Sequence, residues 1–186
     1  KGVFSEVYGA GDVGKKLACS KINLIWFTGS SLVGKELYRV AARKFIPVIL
    51  EMGGSNPCVV FEDANIADAA SIIYNGRYSN CGQVCDAVKR LIIHESIYEE
   101  VVSKLKQLVE SKKVGDPSKL ETDMGSLAAK RQLFLLQEQV KDAIEKGAKV
   151  VTGGNVPSNL NGAFYSPTII THIIKDMRIW KEEVFG

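Results

Sequence analysis

A chain of 186 residues, 46% apolar and 24% charged, has the make-up of an ordinary soluble globular protein and is long enough to bury a substantial core. Its 24 lysines and arginines against 21 acids leave a formal charge of +3. Bases such as Lys15, Lys35, Lys44, Lys104 and Lys112 are scattered among the acids, so no dense basic tract of the kind nucleic acid favours is present. No apolar run reaches the roughly 18 residues of a membrane span.

The chain begins at Lys1-Gly2-Val3-Phe4 without an initiator Met and stops at Val184-Phe185-Gly186, and both ends are expected to be cuts in a longer protein. Asn23 to Thr28 is a β-rich run, Gly29-Ser30-Ser31 a turn, and Leu32, Leu37, Val40 and Ala41 recur at helical spacing as far as Arg43. Ile46 to Leu50 is a second strand with Pro47 near its start, broken by Gly53-Gly54, and Cys58 to Phe61 is a third. A helix follows from Ile66 to Asn80, then a strand from Val88 to His94 and an amphipathic helix from Ile97 to Glu110. Leu127 to Lys146 is another helix, ended by Gly147, and Ala148 to Thr152 a strand stopped by Gly153-Gly154; Asn155 to Gly162 is loop. Strands alternating with helices predict an α/β fold with a mainly parallel sheet, whose ligand sites fall beyond the carboxyl ends of its strands.

Four segments carry chemistry. Gly9-Ala-Gly11-Asp-Val-Gly14 is a literal G-x-G-x-x-G, but the acid that a dinucleotide fingerprint wants about 20 residues on would be Glu36, inside a predicted helix and not at a strand end. Phe27-Thr28-Gly29-Ser30, with Gly34 in the next helix, is a strand end running into a helix N-terminus. Its free N–H groups and dipole suit phosphate oxygens, and a plain N-cap by Ser30 or Ser31 fits equally well. In Leu50-Glu51-Met52-Gly53-Gly54-Ser55-Asn56-Pro57 a carboxylate ends a strand ahead of two glycines, either as a working acid or as a solvated one. Asn80-Cys81-Gly82-Gln83-Val84-Cys85 puts a cysteine at a break in regular structure, where backbone N–H groups favour a thiolate; packing is the plainer role of a lone cysteine. Cys81 and Cys85, four apart, are also spaced for a redox pair, though not as a C-x-x-C motif.

With Cys19 and Cys58 the cysteines number four, and in the absence of an apolar N-terminal signal they are expected to be reduced thiols of a cytoplasmic protein. His94 and His172 stand at zinc-ligand spacing from no cysteine pair, so no metal is expected.

Taken in order, Phe27-Thr-Gly-Ser30, Glu51-Met-Gly-Gly54, Gly82-Gln-Val-Cys85 and Glu182-Glu-Val-Phe-Gly186 resemble the signature set of the NAD(P)-dependent aldehyde dehydrogenase superfamily. The 34 residues from Glu51 to Cys85 and the 98 from Cys85 to Glu183 are close to that family's usual separations. Lys89-Arg90, Gly115-Asp116-Pro117 and Phe164 to Thr168, the last resembling a strand that leads to the final motif, agree with it. The resemblance implies residues 1–52 as the end of a Rossmann-like NAD(P)-binding domain and 53–186 as most of an α/β catalytic domain.

It also implies roles. Cys85 matches the nucleophile that attacks an aldehyde carbonyl, and Glu51 the base that activates water against the resulting thioester. An ordinary thiol is only a few per cent ionised at pH 7, so a base or local N–H groups must activate it. Gly29, Ser30 and Gly34, with Thr28, match the run beneath the pyrophosphate of NAD or NADP, and Met52 and Gly53 lie with the cofactor contacts. Glu183 matches the carboxylate that holds the nicotinamide ribose, and Phe185 the ring beside it. The Cys85 N–H matches one oxyanion donor. The family's oxyanion asparagine and its adenosine-side lysine would lie before Lys1, so these 186 residues alone are expected to be a poor enzyme.

Met52 stands where leucine is commoner, a swap of similar volume. The wording Gly54-Ser-Asn-Pro57 and Cys85-Asp-Ala-Val-Lys-Arg90 is similar to the succinate-semialdehyde dehydrogenase branch. The implied partners are a small aldehyde and further copies of the intact enzyme, as a dimer or tetramer. Two alternatives differ in kind: a CoA-acylating relative, which would not need Glu51, and a non-catalytic or redox protein using Cys81 and Cys85.

Overall fold

The computed structural model describes residues 2–186, which divide into two compact units, 2–53 and Gly54–Gly186.

The first unit is built as helix, strand, helix, strand: α1 (Gly11–Cys19), β1 (Ile25–Gly29), α2 (Ser31–Lys44) and β2 (Val48–Met52). β1 and β2 run parallel, in register from Ile25 opposite Val48 to Gly29 opposite Met52. Two parallel strands need a crossover, and α2 supplies it. Ser30 starts that helix by accepting a hydrogen bond from the Val33 N–H at 3.4 Å. Phe45 ends it in the left-handed region, with the Ile46 N–H returning to the Ala41 carbonyl at 3.1 Å. Ala18, Ile25 and Ala41 form the core, packed by Ile22, Phe27, Leu37, Val40, Ile46 and Val48. The Lys44 ammonium ties the end of α1 to α2 through the Ala18 carbonyl at 3.0 Å.

In the second unit β3 (Asn56–Val60) pairs in parallel with β4 (Val88–Ile93), and α3 (Ile66–Tyr78) forms the crossover between them. Asn65 caps α3 by accepting from the N–H groups of Ala67 and Asp68 at 3.0 and 3.2 Å. α4 (Tyr98–Glu110) buries Val101, Leu105 and Val109, one turn apart, against Ile73 of α3 and Val60 of β3. α5 (Lys130–Glu145) does the same with Leu133, Leu136, Val140 and Ala143, and Gly147, at φ +94°, turns the chain into β5 (Lys149–Thr152). β5 pairs antiparallel with β6 (Ile169–Thr171), and a four-residue helix, α6 (Arg178–Lys181), precedes the last motif. Ile73, 2% exposed and central to this core, gives a first test: Ile73→Ala is expected to lower the unfolding free energy by about 2–5 kcal/mol in a denaturant titration. A change below about 1 kcal/mol would mean that this cluster does not hold the unit together.

The fold class matches the sequence expectation, with local differences. Among the described residues two of the three ladders are parallel and one is antiparallel, each of two strands. The strand expected over Phe164–Thr168 lies instead at Ile169–Thr171. Pro167 lacks an N–H for a ladder, and the Thr168 hydroxyl bonds to the Ser166 carbonyl and the Gly154 N–H. The helix expected from Leu127 begins at Lys130, because the Leu127 N–H is given to the Ala163 carbonyl at 2.8 Å. The G-x-G-x-x-G run does start a helix, α1, but no strand precedes it among the described residues, so it lacks the fingerprint's strand-to-helix geometry.

Candidate active site

In the first unit the candidate residues gather at one end of the β1–β2 ladder. Thr28 lies opposite Glu51 and Gly29 opposite Met52, so the strand-end turn, the carboxylate and the thioether share one edge, with Gly53 directly after. Glu51 is the penultimate residue of β2 and is exposed, not the end of a buried strand.

Gly34 faces this edge from α2. A methyl group there would stand 2.3 Å from Met52 Sδ, so the Met52 side chain packs directly over Gly34 and would have to shift for any larger residue. The fit to an anionic cofactor can be judged from the turn itself. Thr28, Gly29 and Ser30 are exposed at the N-terminus of a 14-residue helix whose first turn holds no acid. That end presents free N–H groups and the positive end of the helix dipole without a competing carboxylate, as a pyrophosphate requires. The Ser30 hydroxyl is used as the helix cap, as the plain N-cap reading expects.

The second unit brings Cys85, Glu183 and Phe185 together around a lysine. α3 runs into a turn at Ser79–Gly82 in which Asn80, Cys81 and Gly82 have φ of 50°, 57° and 73°. Two consecutive non-glycine residues in the left-handed region are uncommon, and here they redirect the chain off the helix axis. Their partners hold them: Asn80 Nδ2 donates to the Gln83 carbonyl at 3.2 Å, and Gln83 Oε1 accepts from the Ala128 N–H at 3.1 Å. Cys85 follows on a turn closed by the Ala87 N–H to the Val84 carbonyl, and it is exposed. Its carbonyl accepts from Asn56 Nδ2 at 2.8 Å and from Lys89 Nζ at 3.2 Å. The thiol thus projects from a segment pinned at its own backbone.

Lys89 is buried, its side chain 2% exposed, and it forms an ion pair with Glu183 Oε1 at 3.0 Å; its ammonium lies 6.0 Å from the centre of the Phe185 ring. Glu183 retains partial exposure, 27% of its side chain.

The segment from Glu182 to Gly186 is fixed along its length. Gln139, fully buried, donates to Glu182 Oε2 at 3.0 Å and to the Glu183 carbonyl at 3.1 Å; Gln132 donates to the Phe185 carbonyl at 2.6 Å. Arg77 donates to the carbonyls of Val184 and Gly186. Burial lowers the pKa of the Arg77 guanidinium, opposed by its electrostatic interactions with Tyr78 and Glu183. Arg178 holds the Glu182 carboxylate below the usual range, so the two adjacent acids have different partners: Glu182 a surface arginine, Glu183 a buried lysine.

Cys81 has a different setting from Cys85. It is half-buried, burial raises its thiol pKa, and its Sγ lies 3.5 Å from the carbonyls of Gly125 and Ser126. All four cysteines are free thiols. Among the described residues no cluster of three or more metal-binding side chains occurs, and no helix is long and apolar enough to cross a membrane. Asn56, Arg77, Lys89 and the glutamines 83, 132 and 139 were not singled out as site residues from sequence; Asn56, Gln83 and Lys89 lie inside the quoted motifs, whereas Arg77, Gln132 and Gln139 sit in helices without any local mark.

Comparison with known proteins shows the family. The profile of the aldehyde dehydrogenase family matches residues 1–186. An aminoaldehyde dehydrogenase of pea (Pisum sativum), a peroxisomal protein, is 40% identical over all of this chain and 38% of its own length. A succinate-semialdehyde dehydrogenase [NADP(+)] of Deinococcus radiodurans is 38% identical over 94% of this chain and 36% of its own. The crystal structure of betaine aldehyde dehydrogenase from Staphylococcus aureus in complex with NAD+ superposes with a TM-score of 0.92 at 34% identity, covering 97% of this chain and 37% of that one. The chain therefore spans less than two fifths of the length of these relatives. With the whole of its length matched, the chain belongs to the aldehyde dehydrogenase family.

Proposed function

We propose that the whole protein oxidises an aldehyde to a carboxylate with NAD or NADP, and that Lys1–Gly53 is the end of its cofactor-binding domain and Gly54–Gly186 most of its catalytic domain. The observation that carries this reading is the placement of Cys85: an exposed thiol on a turn whose carbonyl is clamped by Asn56 and Lys89, with Lys89 also holding Glu183. The Cys85 thiolate attacks the aldehyde carbon to give a thiohemiacetal, and its own N–H faces the developing oxyanion. The bound nicotinamide supplies the acceptor for the hydride that leaves this carbon. Loss of the hydroxyl proton leaves a thioester on Cys85. Glu51 takes a proton from water, the hydroxide equivalent adds to the thioester, and the carboxylate departs as the Cys85 thiol is restored.

Thr28, Gly29 and Ser30 hold the pyrophosphate, Gly34 and Met52 shape the floor beneath it, and Gly53 lets the chain pass close. Glu183 accepts from the nicotinamide ribose beside the Phe185 ring. A charged semialdehyde of the succinate type is the substrate class we favour, supported by the motif wording and by a relative of that name. The free thiols support a reducing compartment such as the cytoplasm. Phe45, Trp26 and Leu32 are large and exposed, which supports burial against the rest of the protein or a second copy in a homo-oligomer.

The test is reduced-cofactor formation by the whole protein with a panel of small aldehydes that includes succinic semialdehyde, with each cofactor and with or without CoA. Formation without CoA, fastest with succinic semialdehyde, is expected. Dependence on CoA would move the protein to the acylating branch, and no reduction under any condition would end the dehydrogenase reading.

A further inference from the structure

We propose that Lys89 is a positioning residue that ties the cofactor's carboxylate to the nucleophile: one buried ammonium orients Glu183 and holds the Cys85 backbone. The proposal rests on the roles given above to Cys85 and Glu183.

An ammonium has three N–H donors and no acceptor. Here all three have partners: the Val84 carbonyl at 3.3 Å, the Cys85 carbonyl at 3.2 Å and Glu183 Oε1 at 3.0 Å. Burying such a charge is unfavourable unless it is fully paired, so a lysine whose side chain is 2% exposed fixes the positions of its acceptors closely. Two acceptors belong to the turn that carries the thiol, and the third comes from a segment 94 residues away. The Glu183 backbone is anchored separately, through Gln139, and its neighbours through Arg77 and Gln132. That anchoring sets where Glu183 starts, but among the described residues Lys89 is what its carboxylate bonds to. Lys89 engages Oε1, which leaves Oε2 to accept from a ribose hydroxyl, and the side chain as a whole is part-exposed.

Asn56 shares the Cys85 carbonyl with Lys89 and does not reach Glu183. The link is therefore specific to Lys89. Any ligand that draws on the Glu183 carboxylate changes the charge Lys89 is paired with, and Lys89 transmits that change to the backbone of residue 85.

The experiment uses the whole protein and two readouts. One is the dissociation constant of NAD+ and NADP+; the other is the rate at which iodoacetamide alkylates Cys85 without cofactor, followed on the Cys85 peptide by mass spectrometry. Lys89→Met is expected to weaken the preferred cofactor about tenfold, the size of one hydrogen bond to a charged group, and to shift the alkylation rate at least about threefold. Lys89→Gln, which still donates, should recover part of both. Glu183→Gln should weaken the cofactor too, and in Lys89→Met/Glu183→Gln the two losses should not add, because the lysine acts through the carboxylate.

The double variant leaves no unpaired buried charge, so it reports even if Lys89→Met fails to fold. In that case Lys89→Gln supplies the single-site value. Weakened binding in Glu183→Gln with unchanged binding and alkylation in the Lys89 variants overturns the tie alone; a lower melting temperature with both readouts unmoved does the same, since that is a structural ion pair. Unchanged cofactor affinity in Glu183→Gln overturns the ribose role, and the tie falls with it.

Discussion

Cys85→Ser in the whole protein is expected to reduce aldehyde-dependent NAD(P)H formation by about 10³-fold or more, with the unfolding midpoint unchanged. The size of the effect follows from the chemistry. A serine hydroxyl is isosteric with the thiol, but it is a far poorer nucleophile without a dedicated base aimed at it, and every later step depends on the covalent adduct. The stability expectation follows from the structure: the residue is exposed, and what holds the turn is its carbonyl, bonded to Asn56 and Lys89, which serine retains. Cys81→Ser is the matched control. Its Sγ faces the carbonyls of Gly125 and Ser126, to which a hydroxyl can also donate, so this variant should stay within a few-fold of the parent. Equal losses in the two variants would favour a Cys81–Cys85 redox pair over a single nucleophile. Full activity in Cys85→Ser would remove the thioester route altogether.

What could be read from sequence, and what could not, separates by the range of the interactions. The helix of Ile66–Tyr78 was visible because its start is written locally, in an Asn65 side chain that caps Ala67 and Asp68, and its stripe reaches the core at Ala70 and Ile73. α2 was visible for the same reason, with Ser30 before it and Leu37, Val40 and Ala41 inward. α1 was not, because a nine-residue helix with Gly11 and Gly14 in its first turns has little propensity, and only Ala18 of it is buried. β6 has three residues, too few to show an alternating pattern.

The candidate site divides in the same way. The positions of Cys85, Glu51 and the Thr28–Ser30 turn come from short motifs. Their setting does not: the left-handed pair Asn80 and Cys81 has no local cause beyond the tolerance of asparagine and the glycine that follows, and the Lys89–Glu183 contact spans a separation that no window of sequence covers. A lysine one residue into a predicted strand looks like a solvated edge until the acid it neutralises is placed opposite.

Glu51→Gln is expected to divide the reaction in time instead of abolishing it. If Glu51 serves thioester hydrolysis, the first turnover still delivers hydride, so a rapid burst approaching one reduced cofactor per active site should precede a steady state slowed about 10²–10⁴-fold. The amide keeps the size of the carboxylate, and Glu51 is exposed on β2 with its backbone in the ladder opposite Thr28, so the fold should be indifferent to the change. Hydroxylamine, a nucleophile that needs no base at this position, should restore turnover by intercepting the thioester, and acid quenching during the steady state should trap the acyl group on the Cys85 peptide. A steady-state rate close to the parent's would assign hydrolysis to another group. Loss of the burst itself would instead mean that Glu51 is needed before hydride transfer, as the base that ionises Cys85, and the two outcomes are separated by whether iodoacetamide alkylates Cys85 more slowly in the variant.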